Sequence, residues 1–289
     1  MSWYRNCTVC SILELGLGVD VVKKLVETLF ESGQTPKAGS LVLALGNPKG
    51  IKLNQRYVES DLNRCFNPDD LSKPLADNAT YEEKRSRDFA EFVAEAHVLI
   101  DVHATLKPSD PFVRIGGVKD LNLNHEEILD ELIGCNTLLL DPLNLIGMGR
   151  PVCSDELLSY NGNTGICYET GFAGDLECAP RVLASMIAIL LNKLGLEIEC
   201  EEAAAVQKPA TKPVRDVYEM TSVFTLGEEG FRWNSPYGSH NFQKIPGSVP
   251  IGFHGETPLV EANDTYVIFP KVPELWFLGK PLGWLAKKL

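Results

Sequence analysis

The sequence predicts an α/β fold: a mixed, mainly parallel sheet sandwiched by helices, with a small all-β domain at the C-terminal end. Two observations predict it. Between residues 19 and 195, short apolar β-branched runs alternate with stretches of helical periodicity, and beyond residue 213 that helical periodicity stops. Between the two regions, residues 200–213 shift to Glu, Ala, Lys and Pro without an apolar stripe, which reads as a linker. Residues 1–199 are therefore expected to form the α/β domain, 200–213 the linker and 214–289 the β domain.

Residues 1–18 resist assignment. From there, Val19, Val22, Val26, Leu29 and Phe30 recur at helical spacing until Ser32-Gly33 ends the pattern. Residues 41–45 (LVLAL) form a buried strand that Gly46-Asn47-Pro48 stops. Residues 68–80 are polar and irregular, 81–96 an amphipathic helix, and 97–103 (HVLIDVH) a buried strand. A helix over 122–135 and strands over 137–140 and 164–170 follow, then a strongly apolar helix over 179–195 closed by Gly195. In the tail, residues 217–226, 248–253 and 265–269 are the expected strands, separated by Gly and Pro.

With 289 residues, 44% hydrophobic and 23% charged, the composition is that of an ordinary globular protein. The net charge of −12 speaks against a nucleic-acid partner, whose binding face would be basic. No apolar run reaches the roughly 18 residues that a membrane span needs. The N-terminus lacks a basic flank and carries Glu14 within its apolar run, so it makes a poor signal peptide. Eight cysteines without framework spacing fit reduced thiols in a cytoplasmic protein. Cys7 and Cys10 make a lone CxxC with no second pair, a weak metal signal. No nucleic acid and no membrane are expected as partners; a homo-oligomer is left open.

The residues that could do chemistry gather around GNPKGIKLNQRYVESDLNRCF at 46–66 and DVH at 101–103. The first places Arg56, Arg64, Asn47 and Asn63 in one loop region after a strand, where α/β proteins usually bind ligands. Guanidinium forks beside amides suit a carboxylate-bearing ligand; a surface loop held by Arg–Asp pairs is the plainer alternative. Asp101 and His103, two apart on a strand, share a face. A core histidine with a satisfied ring would read the same way. Glu169 is a carboxylate near the end of an apolar strand, where packing does not explain it; a solvated loop glutamate is its plainer alternative.

Taken together, GNP at 46–48, RYVESDLNRCF at 56–66, DVH at 101–103, YETG at 168–171 and DTYVIFPK at 264–271 resemble the succinylglutamate desuccinylase and aspartoacylase family. That family belongs with the zinc carboxypeptidase-like hydrolases. The resemblance implies a zinc-dependent hydrolase, with one zinc per chain, that cleaves the amide bond of an N-acyl amino acid or similar small acidic substrate. It implies that His103 is a zinc ligand and Glu169 the general base toward metal-bound water. Arg56 would polarise the scissile carbonyl, while Asn63 and Arg64, with Tyr57 beside Arg56, would bind the substrate.

One part of the pattern is missing. The family takes its first two zinc ligands from an HGNE-like turn before the first helix, where this chain reads SILELGLGVD at 11–20. Ungapped counting puts Glu14 at the histidine position and Leu17, which has no donor atom, at the glutamate position. Glu14 is the candidate second ligand, with Asp20 or Cys10 as stand-ins; His97, His125, His240 and His254 lie outside that turn. Residues 1–17 that misrepresent the true sequence, a metal-poor relative that binds carboxylates without hydrolysing them, or a rearranged metal shell would each account for this. A peptide-cleaving metallocarboxypeptidase is a further alternative on the same fold.

Overall fold

The computed structural model describes residues 8–13, 17–33, 40–197 and 213–289. All of the expected linker except Pro213 lies outside the described residues, as do Glu14 and Cys7. A ten-stranded sheet runs through the molecule. Its parallel half is β2 (Ser40–Leu45), β1 (Thr8–Leu13), β3 (Val98–Thr105) and β6 (Thr164–Phe172), side by side in that order. Next to β6 the direction reverses at β4 (Phe112–Gly116), which pairs in parallel with β5 (Thr137–Asp141).

The C-terminal strands continue this sheet. β7 (Asp216–Thr225) lies parallel to β5, and β13 (Pro281–Lys288), β12 (Thr265–Ile268) and β9 (Gln243–Ile245) add on antiparallel. Only β8 (Arg232–Trp233), β10 (Pro250–His254) and β11 (Thr257–Val260) form a second, three-stranded antiparallel sheet. The mixed α/β architecture is thus the expected one, and the tail is β-rich as its periodicity implies.

Central strands β3 and β6 are buried almost throughout because both of their faces are covered. Val98, Ile100 and Val102 alternate with Leu99, and Ile166 and Tyr168 with Cys167. The first set packs with α1 (Leu17–Ser32), α5 (Leu123–Leu129) and α7 (Cys178–Asn192) through Leu25, Ile128 and Ile187. Leu99 faces the other way, toward α4 (Tyr81–Glu95) and α6 (Ser154–Tyr160), with Phe89, Val93 and Leu158. That second face also carries Asp101, His103, Cys167 and Glu169, by strand period alone.

Helix α4 begins at a reciprocal cap: Thr80 Oγ1 accepts from Glu83 N–H, and the Glu83 carboxylate accepts from Thr80 N–H. Helix α5 is shorter than the expected 122–135. After Leu129 the chain tightens, with Glu131 and Leu132 donating to carbonyls three residues back, and Ile133 N–H turns to Ser185 Oγ on α7 instead of continuing the ladder. Helix α6 packs directly on β6, and a Cβ on Gly165 would sit 1.9 Å from the Asp155 carbonyl oxygen. Gly165→Ala should therefore destabilise the protein by about 3 kcal/mol, seen as a lower urea midpoint at unchanged slope. A midpoint within error of wild type would contradict this contact.

Candidate active site

Parallel pairing of β3 with β6 sets His103 opposite Glu169, and both line a cleft with Arg56, Asn63, Arg64 and Lys271. Arg56, Asn63, Arg64, His103 and Glu169, from three stretches distant in sequence, thus line one cleft. Tyr57 does not join them: it is 44% exposed and outside the cleft lining.

Asp101 is buried behind His103. Its Oδ2 accepts from Ser154 Oγ at 2.7 Å and Asn63 Nδ2 at 3.0 Å, and its Oδ1 lies 2.9 Å from His103 Nε2. Burial alone would raise the Asp101 pKa, but the His103 charge and these donors hold it below the usual carboxylate range. Asn63 ties this group together. Its Oδ1 accepts from Ser154 N–H at 2.9 Å, and its Nδ2 serves Asp101 and lies 3.2 Å from His103 Nε2. Through both ends of its amide, Asn63 positions Asp101 and His103 at the wall of the cleft that it also lines.

The Arg56 loop is held from beneath by Glu82, which is 0% exposed. Its Oε1 accepts from Asn47 Nδ2 and Val58 N–H, and its Oε2 from Glu59 and Ser60 N–H. Burial opposes ionisation, yet the Val58, Asn47, Ser60 and Glu59 donors together pull the Glu82 carboxyl below its ordinary pKa. A depressed carboxylate stabilises above its unfolded pKa and stops doing so as pH falls through the folded one. Glu82→Gln should cost about 2 kcal/mol at neutral pH, with a smaller cost at acid pH. Equal costs at both, by urea titration, would rule out the charge as the source.

Arg56 donates through Nε to Asp61 Oδ2 at 3.2 Å and holds it with Nη2 at 3.1 Å. Asp61 also caps the 3-10 turn Leu62–Arg64 by accepting from Asn63 N–H. Burial would raise Asp61, but Arg56 and Arg64 outweigh it and keep the carboxyl low. Arg64 donates Nη1 to the Asn63 carbonyl at 2.6 Å and toward Cys153 Sγ at 3.5 Å. Among the described residues Arg64 has no carboxylate partner, which leaves its charge to the cleft.

Glu169 is buried, and its Oε2 has no hydrogen-bond partner among the described residues. Burial raises its pKa, against the lowering effect of His103 and Arg56. A carboxylate in that state wants a proton, as a general base should. The apolar wall of the same cleft is Ile146, Phe269 and Trp284. Sequence reasoning missed Lys271 and Arg114, which also line the cleft, and Glu82 beneath it.

A catalytic zinc normally takes three protein ligands. His103 is one candidate donor, with Asp101 and Asn63 both against its Nε2. Among the described residues no group of three His, Cys, Asp or Glu side chains converges to hold a metal. Leu17 offers no donor, and Glu14 lies outside the described residues. The described donor set does not fit a catalytic zinc.

A mixed sheet flanked by helices, with a cationic cleft around a buried glutamate, defines the class: the zinc carboxypeptidase-like desuccinylase fold. Residues 17–120 match the succinylglutamate desuccinylase/aspartoacylase catalytic domain. Its sequence is 30% identical over 94 residues to N-acyl-aromatic-L-amino acid amidohydrolase (carboxylate-forming) B of Danio rerio, covering 30% of each chain. It is 32% identical over 88 residues to succinylglutamate desuccinylase of Yersinia enterocolitica, covering 30% of this chain and 26% of that one. The matched stretch thus spans under a third of these curated relatives. In fold, succinylglutamate desuccinylase of Vibrio parahaemolyticus superposes with a TM-score of 0.75 at 14% identity, over 100% of this chain and 83% of that one. Murine aminoacylase 3 gives 0.70 at 18% identity, over 100% and 97%.

Proposed function

We propose that the chain is an amide hydrolase that removes the acyl group from an N-acyl amino acid or similar small acidic amide. The observation that carries this reading is the buried Glu169 carboxylate, with an unpartnered oxygen, in a cleft lined by Arg56 and Arg64. Arg64 binds the substrate carboxylate. Glu169 takes a proton from the water that attacks the amide carbonyl, and Arg56 faces the oxygen on which negative charge develops. The proton on Glu169 then goes to the leaving amine as the C–N bond breaks. Ile146, Phe269 and Trp284 give an acyl or side-chain group an apolar wall.

Zinc dependence is the finer form of this proposal, and the described donors do not support it, so no step here runs through a metal. The same observation favours a second reading, a carboxylate-binding protein that does not hydrolyse its ligand. Release of free amino acid from a bound N-acyl amino acid separates the two, because the binder releases none. Substrate class is tested by comparing N-acyl amino acids with a long peptide. Faster turnover of the peptide would reassign the chain as a carboxypeptidase.

A further inference from the structure

A second cavity lies beside the cleft, and the hydrolytic reading leaves it unused. It encloses about 280 Å³, against about 90 Å³ for the cleft. Helix α4 contributes Glu83, Ser86 and Arg87 to its lining, and the 3-10 turn contributes Arg64 and Cys65. The chain from α3 (Pro68–Leu71) to Ala79 supplies an aliphatic side through Leu71, Pro74 and Leu75. Arg64 lines both cavities, so the two share one guanidinium group.

Arg87 secures the end of α3: its Nη1 donates to the Leu71 carbonyl and its Nη2 to the Asp70 carbonyl at 2.8 Å. These bonds leave most of the guanidinium donors uncommitted. Among the described residues no carboxylate lies within ion-pair distance of Arg87 or of Arg64. The acids that line the cavity have partners of their own. Asp70 takes Lys73 at 2.9 Å and Arg150 at 3.0 Å, and the Glu83 carboxylate accepts from Thr80 N–H at 2.7 Å. Burial pushes the Cys65 thiol up to about 11, so it adds no negative charge at neutral pH. Two guanidinium groups without carboxylates therefore meet an aliphatic wall. Inorganic phosphate would satisfy the charges and leave that wall wet, and an alcohol would do the reverse. An anion with a short hydrocarbon chain satisfies both.

We propose that this second cavity is an inhibitory site for a short-chain aliphatic carboxylate, whose head group engages Arg87 and Arg64 and whose chain lies on Leu71 and Leu75. Occupancy draws Arg64 from the cleft, so each site weakens the other by the same factor. That coupling rests on the reading of Arg64 as the residue that binds carboxylates in the cleft. Ligand-observed NMR titration tests it on the wild type, Arg87→Met and Ala76→Phe. The ligands are hexanoate, acetate and hexan-1-ol, and N-acetyl-L-alanine with and without hexanoate. Wild type should bind hexanoate at least about 10-fold more tightly than acetate, which has too short a chain, or hexan-1-ol, which has no charge. Arg87→Met should weaken hexanoate at least about 10-fold. It should leave N-acetyl-L-alanine within about twofold, because Arg87 does not line the cleft. Saturating hexanoate should weaken N-acetyl-L-alanine about fivefold or more in the wild type, and not at all in Arg87→Met. Should that variant fail to fold, Ala76→Phe, which fills the cavity from an exposed position, is read in the same way. Hexanoate that binds the variants as it binds the wild type sits in the cleft, which overturns the second site and leaves the cleft reading standing. Hexanoate that depends on Arg87 yet leaves N-acetyl-L-alanine unaffected overturns the inhibition, and no hexanoate binding to the wild type overturns the site outright. If hexanoate binds through Arg87 while N-acetyl-L-alanine does not bind at all, the cleft reading falls and the second site stands.

Discussion

Replacing Arg114 by methionine is expected to cost about 3–5 kcal/mol of stability, because it strands carboxylates that are already out of water. Arg114 is 2% exposed on β4. Its Nη1 donates to Glu156 Oε1 at 2.7 Å and Asp141 Oδ2 at 3.3 Å, and its Nη2 to both Asp155 oxygens at 3.2 and 3.0 Å. Two of the acids have other support: Glu156 Oε2 accepts from Val152 and Cys153 N–H, and Asp141 from Leu145 and Ile146 N–H. Asp155 is the least stabilised. Burial, with the charges of Glu156 and Asp101, pushes it up to about 7 against the pull of Arg114. Its raised pKa means that the folded state binds the extra proton, so Asp155 favours folding at acid pH and that contribution is lost as pH rises toward and through 7. The cost of Arg114→Met should therefore be larger at pH 8 than at pH 5, where the acids can take up protons. Urea midpoints at the two pH values measure this. A cost under 1 kcal/mol, or one independent of pH, would contradict the charge account.

Glu169→Gln should lower the hydrolytic rate by about 10²- to 10⁴-fold, the usual range for a general base, with little change in substrate binding. The glutamine keeps the shape and loses the proton acceptor. Because burial raises the Glu169 pKa, the wild-type rate should climb with pH through a limb above the ordinary glutamate range of ~4.3, and the variant should lack that limb. An unchanged rate in Glu169→Gln would remove Glu169 from the mechanism.

Much of this site was legible because the relevant elements obey simple periods. The alternation in 97–103 places Asp101 and His103 on one face, and β3 keeps that face toward α4 and α6. Helix α4, read over 81–96, spans Tyr81–Glu95 because Thr80 and Glu83 cap it. Other elements hid behind their own chemistry. Strand β4 carries Arg114 at its centre, a residue that reads as exposed until three acids from two other elements surround it. Helix α6 is short and begins Ser-Asp-Glu, so it resembles a loop, yet those residues are buried, Ser154 against Asp101 and the two acids against the arginine. Glu82 reads as the polar face of an amphipathic helix, and only the folding of 58–60 over it makes it a buried anchor. Asn63 lies in a legible motif, but its partner Ser154 is 91 residues away. The tail shows its strands in sequence, while their attachment to β5 through β7 depends on long-range pairing that no local pattern encodes.

The most direct test of the hydrolase reading is release of free amino acid from N-acetyl-L-aspartate by the purified wild-type chain, with zinc content determined on the same sample and Glu169→Gln run beside it. Release by wild type, reduced at least about 100-fold in the variant, is the predicted result. A wild-type chain that binds the ligand but releases no amino acid, with zinc present or absent, would contradict hydrolysis and leave the cleft a carboxylate-binding site.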